Sequence, residues 1–481
     1  MGKKVVVIGA GPGGYVAALR ASALGGEVTV IEKENPGGTC LNWGCIPSKI
    51  MKTSADTYLR LLEAAEFGIN IGGGSEVALT PDMKAIMARK QRIVETQRKG
   101  ILSLLQQGRI EYEQGRGYIK GTGVAGVVDR DGNEKDIPFD RLIIATGTAP
   151  LNIGAFPFDG ESVLSSNDLL ELDHVPDSIV IVGGGVIGCE FACILSALGS
   201  RVTIVEAMSR ILPLPSVDES CSKILQREMK KQKIKLITDQ VVESAQKSGD
   251  KLVITLGPSP FADPAKASKI KAQTLESRKM VVCIGRSPLA WDIGLENIGL
   301  ATDDKGWIEV NHRMETRVQG VYAIGDILGP RHIMLAHVAS HEGMVAAANA
   351  MGGSEEMHYH AVPGAIFTMP EIGNVGLTEA EALARGMEVE CSSVNFRVLG
   401  KAQAMGEIAG EAKIVAEKGT GKVLGVHIIG PHATDILAEA TLAVNKGMTL
   451  SDLAGTIHAH PTLAEIISET ALKGAGMALH G

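Results

Sequence analysis

No run of about 20 apolar residues occurs in the 481-residue chain, so its sequence predicts no membrane-spanning helix. An excess of basic charge is missing too. With 47 Lys and Arg against 55 Asp and Glu the formal net charge is −8, which argues against a polyanion-binding surface and against nucleic acid as a partner. The first strand-like run starts almost at the N-terminus, without a basic n-region, an apolar h-region and a cleavage site before it, so secretion is not expected. Cysteine is sparse: seven thiols, five of them scattered singly or on a helix face, do not make a disulfide framework, and a reducing, cytoplasmic compartment is expected. Cys189 and Cys193, four apart and so on one helix face, read as packing residues, and no metal site is read anywhere.

What the chain does have is a close pair of thiols. Cys40 and Cys45 lie in the run Gly37-Gly38-Thr39-Cys40-Leu41-Asn42-Trp43-Gly44-Cys45-Ile46-Pro47-Ser48-Lys49, and two thiols this close can hold and release two electrons as a disulfide. They follow a dinucleotide fingerprint. Lys4 to Ile8 reads as a buried parallel strand, Gly9-Ala10-Gly11-Pro12-Gly13-Gly14 as the turn, and Tyr15 to Leu24 as the helix. Gly9 permits the tight turn, Gly11 lets a pyrophosphate approach the helix N-terminus, and Gly14 lets helix and strand pack closely. Glu32 ends the next strand, Val28 to Ile31, where a carboxylate can accept from the hydroxyls of an adenosine ribose.

A second copy lies downstream: Ile179 to Val182, the turn Gly183-Gly184-Gly185-Val186-Ile187-Gly188, a helix through Leu198, and Val202 to Val205 ending at Glu206. Gly9, Gly11, Gly14 and Glu32 superpose on Gly183, Gly185, Gly188 and Glu206. One such motif is weak; two with matching internal spacing are strong, and two bound dinucleotides are expected. A carboxylate at Glu206 would repel a 2′-phosphate, so the second site should prefer NAD, although a nearby cation, Arg210, could accommodate a phosphate. The first lies beside the dithiol. Only a flavin readily exchanges electrons with both a nicotinamide and a thiol pair, so this site should hold FAD.

A chain of this length exceeds one hydrophobic core. The dithiol helix should run through about Glu66, a glycine turn at Gly72-Gly73-Gly74 should follow, and then a long amphipathic helix from Pro81 to Gln107. Leu142 to Ala145 reads as a buried strand ending in Thr146-Gly147, a close backbone approach of the kind a nucleotide fold needs. Gly257 to Lys271 reads as a polar surface loop. Next come Val281 to Arg286, including Gly285, and Gly320 to Asp326, a strand ending in an aspartate that either accepts from a ribityl hydroxyl or is a plain turn residue. The organisation expected is 1–150, 151–282, 283–351 and 352–481. In the last segment, strands at Gly364 to Thr368, Ala412 to Ala416 and Val423 to Ile429 alternate with helices at Thr378 to Arg385, Thr434 to Asn445 and Leu463 to Leu472. There, Pro461 and Thr462 should start a helix, with His460 just before it and Glu465 one turn in, within reach of the imidazole. On these residues alone a capping histidine is the alternative.

Together, the dithiol run, both fingerprints, Ala145-Thr146-Gly147, Tyr322 to Asp326 and the terminal His-Pro-Thr-x-x-Glu resemble the flavoprotein pyridine-nucleotide disulfide oxidoreductases over essentially the whole chain. Within that family the runs at 37–49, Met334-Leu335-Ala336-His337, Phe367 to Glu371 and His458 to Thr462 are most similar to the members that oxidise protein-bound dihydrolipoyl groups with NAD⁺. The resemblance implies an α/β fold of two Rossmann-like dinucleotide-binding domains, on 1–150 (FAD) and 151–282 (NAD), a central segment completing the FAD site on 283–351, and a C-terminal α+β dimerisation domain on 352–481. It implies FAD and NAD as cofactors. The partners implied are a second copy of the chain and a lipoyl-bearing protein of a 2-oxo-acid dehydrogenase or glycine cleavage complex, with no membrane.

By the same resemblance Cys40 is the interchange sulfur and Cys45, at a helix start with Pro47 in the first turn, faces the flavin. His460 is the base, Glu465 orients it, and both serve the dithiol of the other subunit. Lys49 places a charge near the flavin with Glu190 as its ion-pair partner, and Thr146, Gly147, Gly285, Asp326 and Ala336 fall at cofactor-binding positions. The chain departs from the family in a longer Gly257–Lys271 loop, in Arg278 and in Arg331-His332-Ile333 before Met334. Alternatives left open are a related NADH-dependent reductase of another disulfide or of a metal ion, and a non-catalytic flavoprotein subunit.

Overall fold

Two runs of Val and Ile, Lys4–Ile8 and Ser178–Val182, each lie at the middle of a parallel sheet covered on both faces, which is why neither alternates polar with apolar. The computed structural model describes residues 2–71 and 79–481, so the Gly72–Gly74 turn lies outside the described residues. The chain forms two compact units, one of Met1–Met51, Lys84–Leu151 and Gly285–His358, the other of Lys52–Met83, Asn152–Ile284 and Tyr359–Gly481.

In the first unit the parallel sheet runs in the order Val321–Ala323, Arg141–Ile144, Lys4–Ile8, Glu27–Glu32, Glu111–Gln114. Val5, Val6, Val7 and Ile143 are at most 1% exposed, so the centre is dry. The fingerprint helix Pro12–Ala23 packs along the helix Ala336–Ala350, and the fit needs glycine: a Cβ on Gly343 would sit 2.5 Å from the Gly13 carbonyl oxygen. The same unit carries an antiparallel sheet of Arg116–Gly121, Val124–Val128 and Glu134–Pro138.

The second unit repeats the device. Its parallel sheet runs Lys235–Ile237, Arg201–Val205, Ser178–Val182, Lys279–Val282, Val163–Leu164, with an antiparallel sheet of Gln240–Ser248, Lys251–Pro258 and Gln273–Ser277 beside it. The same unit holds the five-stranded antiparallel sheet Gly364–Ile366, Glu371–Gly376, Val423–Gly430, Glu411–Glu417, Val389–Asn395. Helices Ala433–Lys446 and Glu465–Gly474 bury Leu437, Ala440, Ile466 and Ile467 against it. This is the expected α/β chain with a terminal α+β segment.

Three local expectations change. The dithiol helix is not continuous: Gly38–Trp43 ends at Gly44, whose φ −152° and ψ −106° are not helical, and Cys45–Leu62 starts afresh. The polar stretch after Gly257 is not all loop, because the strand Lys251–Pro258 enters it and Pro264–Ala267 forms a turn of helix. The terminal helix begins at Glu465 rather than at Pro461, because the Thr462 N–H is taken by the Glu465 side chain and the Thr462 hydroxyl donates to the Ala459 carbonyl.

Candidate redox and nucleotide sites

Both glycine turns have the same geometry. Gly9 and Gly183 each have φ +104°, a conformation open to glycine, and each donates its N–H to the end of the next strand at 2.8 Å, to Ile31 and Val205. A Cβ on Gly14 or Gly188 would meet the carbonyl oxygen of Gly9 or Gly183 at 1.9 and 2.0 Å, so strand and helix touch there. Gly11 and Gly185 cap the two helices, and the space a side chain would fill at Gly185 is open.

The acids at the strand ends also match. Glu32 accepts from Ala10 N–H at 2.7 Å and Glu34 N–H at 2.8 Å; Glu206 accepts from Gly184 N–H at 2.6 Å and Met208 N–H at 2.7 Å. Each carboxylate thus pins its glycine turn to its strand, and each oxygen keeps a lone pair for a ribose hydroxyl. Burial pushes the Glu32 carboxyl above its ordinary value against the pull of those N–H groups. Arg210 donates to the carbonyls of Leu212, Leu214 and Val217 and to the Ser222 hydroxyl, so its guanidinium is engaged by its own loop. Glu190, 6% exposed, accepts from Phe367 N–H at 2.9 Å, and Cys189 and Cys193 are fully buried, as packing residues should be.

Cys40 lies in the short helix Gly38–Trp43 and Cys45 is the first residue of the 18-residue helix that follows. Both are thiols, Cys40 hydrogen-bonded with Cys45. That bond, then burial, then the charge of Cys45 push the Cys40 thiol far above its ordinary value, and Lys49 opposes them. The first turn of the long helix is held by Ser48, whose N–H donates to Gly44 and whose hydroxyl donates to Cys45 O at 3.2 Å, while Lys49 Nζ lies 3.4 Å from that hydroxyl. Asn42 holds the short helix in place through the carbonyls of Gly38 and Pro36, and accepts from Arg98 Nε of the helix Met83–Gln107 at 2.6 Å.

Asp326 sits in the turn Gly325–Leu328, beyond the strand that was expected to end on it. It accepts from the Thr148 hydroxyl at 3.1 Å, and burial raises its carboxyl while Arg286 and Thr148 oppose. Arg286 donates through Nε to Thr148 Oγ1 at 2.6 Å and through Nη2 to Thr148 O at 2.9 Å and Thr39 Oγ1 at 3.5 Å. Burial lowers its guanidinium, with Asp326 and then Cys45 acting the other way. Arg286, Thr148 and Thr39 thus tie the dithiol segment to Asp326, a link sequence reasoning missed: Arg286 ended a motif only as a strand marker, and Thr148 carried no motif. The Thr146 hydroxyl is buried without a hydrogen-bond partner. Gly147 and Gly285 have φ +68° and +148°, and Ala336 begins the helix Ala336–Ala350, whose Ser340 donates to Pro12 O.

His460 Nδ1 lies 2.9 Å from Glu465 Oε1, and Glu465 Oε2 accepts Thr462 N–H at 2.8 Å. Burial raises the Glu465 carboxyl, but the Thr462 N–H and His460 outweigh it and hold it below the usual range. An ionised carboxylate can only accept, so Nδ1 carries the imidazole proton and Nε2 presents a lone pair to solvent, with the side chain 76% exposed. His458 differs: both nitrogens face acceptors, Thr456 O and Glu439 Oε2, and its side chain is 8% exposed.

The family model described as pyridine nucleotide-disulphide oxidoreductase matches residues 3–343, and that of the same family's dimerisation domain matches residues 362–471. The chain belongs to the pyridine nucleotide-disulphide oxidoreductases. Similar curated proteins include the dihydrolipoyl dehydrogenases of Chlamydia trachomatis, 39% identical over 99% of this chain and 97% of the relative, and of Bacillus subtilis, 40% identical over 99% and 98%. Among solved structures, LpdA from Mycobacterium tuberculosis superposes with a TM-score of 0.88 at 26% identity, covering 98% of this chain and 99% of that one. In this oxidoreductase the dithiol and both glycine turns lie in the stretch matched by the first model, and His460 and Glu465 in the stretch matched by the second. Among the described residues no helix is long and apolar enough to cross a membrane, and no group of three or more His, Cys, Asp or Glu could hold a metal ion.

Proposed function

We propose that this oxidoreductase is an FAD- and NAD-dependent dihydrolipoyl dehydrogenase, oxidising dihydrolipoyl groups carried by another protein, and that it works as a homodimer. The observation that carries the reading is the hydrogen-bonded Cys40–Cys45 pair at the start of a helix, in a chain about 40% identical to dihydrolipoyl dehydrogenases over nearly its whole length. The residues fit the two cofactors. For FAD, the turn at Gly9, Gly11 and Gly14, the lone pairs of Glu32, the unpartnered Thr146 hydroxyl and the buried Asp326 offer a pyrophosphate cradle and polar contacts, with Lys49, Gly147, Gly285 and Ala336 around them. For NAD, Gly183, Gly185, Gly188 and Glu206 do the same, and the engagement of Arg210 by its own loop supports NAD over NADP. FAD, when bound, supplies two-electron exchange between a thiol pair and a nicotinamide.

The protein's own part is thiol and proton chemistry. His460 Nε2 takes the proton of one dihydrolipoyl thiol, and Glu465 stabilises the imidazolium. The substrate thiolate attacks Cys40 of the oxidised pair, the Cys40–Cys45 bond breaks, and Cys45 leaves as a thiolate at the positive end of its helix. The second substrate thiol then attacks the mixed disulfide, which releases the cyclic disulfide product and reduces Cys40. In the reduced pair the helix N-terminus at Cys45 favours the thiolate there. The exposed His460 and the 97% exposed Ile457, both within the dimerisation segment, support a base that works on Cys40 of the partner subunit.

Purified protein should oxidise dihydrolipoamide with NAD⁺, and Cys45→Ser should retain FAD by absorbance yet lose this turnover. Undiminished oxidation by Cys45→Ser would overturn the assignment.

A further inference from the structure

The terminal helix Glu465–Gly474 carries a second His–Glu pair. Glu465 and Glu469 are four residues apart and share a face, about 6 Å from one another along the helix. Where Glu465 holds His460, Glu469 holds His480: His480 Nδ1 lies 2.8 Å from Glu469 Oε1, and His480 N–H donates to Glu469 Oε2 at 3.4 Å. The chain reaches that position through a built helix stop. Gly476, at φ +74°, donates to Lys473 O at 3.1 Å and Met477 donates to Leu472 O at 2.8 Å, the paired bonds of a Schellman turn, which reverses the backbone along its own helix. The end is seated as well: a Cβ on Gly481 would lie 2.7 Å from the Val394 side chain. His480 stands beyond residue 471, where the match to the dimerisation domain ends, and its side chain is 69% exposed, as that of His460 is 76% exposed.

We propose that His480 is a positioning residue of the thiol-oxidation site: its imidazolium offsets the charge of Glu469 one turn from the His460–Glu465 pair, and so keeps His460 unprotonated and ready to accept the substrate's proton. This rests on the base assigned to His460 above. The hydrogen bond and then the charge of Glu469 hold His480 above its ordinary value, with Glu465 adding to them, which favours the imidazolium form. Other charges lie on neighbouring elements: His458, held between Thr456 O and Glu439, also bears on Glu465, and the strand Glu411–Glu417 carries Glu411 and Glu417. Asp452 of Leu450–Gly455 caps its own helix with Thr449, and Lys413 of Glu411–Glu417 is bound by Asp218 and Glu379. On Val389–Asn395 the ionisable groups are Glu390 and Cys391, and Cys391 interacts with Glu379.

The sign follows. Removing the cation leaves Glu469 uncompensated and makes His460 more basic; removing Glu469 does the opposite. In the FAD-loaded enzyme, His480→Gln should move the acid limb of the kcat/KM profile for dihydrolipoamide to higher pH by roughly a few tenths of a unit, the scale of one charge across a helical turn at an exposed site. Glu469→Gln should move it to lower pH, and His480→Lys should restore the wild-type limb. Melting temperature and FAD content confirm that each variant folds. In parallel, NMR titration of His460 with isotope-labelled histidine should show the same opposite displacements. Limbs and titrations that superpose on wild type, or that move the same way in both Gln variants, would overturn the proposal. If wild type fails to oxidise dihydrolipoamide, the functional reading falls, and the NMR titration still decides whether His480 acts on His460.

Discussion

At the scale of single residues, the acid at each strand end has two jobs. Glu206 is oriented by Gly184 N–H and Met208 N–H, so it cannot be removed without releasing the glycine turn proposed to cradle NAD. That changes what Glu206→Ala should do. Losing the carboxylate removes repulsion toward a 2′-phosphate but also leaves the buried Gly184 N–H unpaired, at about 1–3 kcal/mol, and frees the part-buried Met208 N–H at a smaller cost. NAD⁺ use should therefore fall on the order of tenfold or more in kcat/KM, NADP⁺ use should fall less, and the wild-type preference for NAD⁺ should narrow. Steady-state kinetics with both nucleotides check this, and equal use of the two by wild type would show that Glu206 does not select.

At the scale of elements, one aspartate both starts a helix and ties it to the terminal sheet. Asp218 caps Glu219–Lys231 through Ser220 N–H at 3.0 Å and accepts from Lys413 of Glu411–Glu417 at 3.1 Å, with side chains 6% and 14% exposed. Asp218→Ala should destabilise by about 1–3 kcal/mol, because it removes the cap and one of the two carboxylates that hold Lys413, the other being Glu379; Asp218→Asn, which keeps an acceptor oxygen at the cap, should lose less. Burial raises this carboxyl, but Ser220 N–H and Lys413 outweigh it and hold it below its ordinary value. A depressed carboxyl stabilises fully above its unfolded value and loses that contribution as pH falls through the folded one. Denaturation midpoints of wild type and Asp218→Asn should therefore differ at neutral pH and converge below about pH 4.

At the scale of the whole molecule, the base proposed at His460 is exposed, and on that proposal a second copy of the chain brings it a thiol pair. His460→Gln and Cys45→Ser homodimers should each be nearly inactive, since loss of a positioned base costs about 10²–10⁴-fold. A mixed dimer would unite one intact His460 with one intact disulfide and recover up to half of the wild-type rate, well above either parent. Verified mixed dimers without recovery, from parents that fold and bind FAD, would place base and dithiol in one chain.

Sequence by itself determined the chemistry-bearing runs. Two glycine turns at one spacing, an acid ending each second strand, two cysteines with four residues between them and a His-Pro before a glutamate are local patterns, and local spacing is enough to place them on strand ends and helix starts. Only the tertiary structure decided which groups meet. Arg286, Thr148 and Thr39 come from segments far apart in the chain, and nothing in their spacing announces that a guanidinium joins the dithiol segment to Asp326. The late start of the terminal helix depends on which side chain claims a given N–H, a competition that propensity does not settle. His480 shows the limit best. Near the chain's end it carries no motif, and it becomes part of a second His–Glu pair because a glycine turn folds the last residues back along the helix they leave.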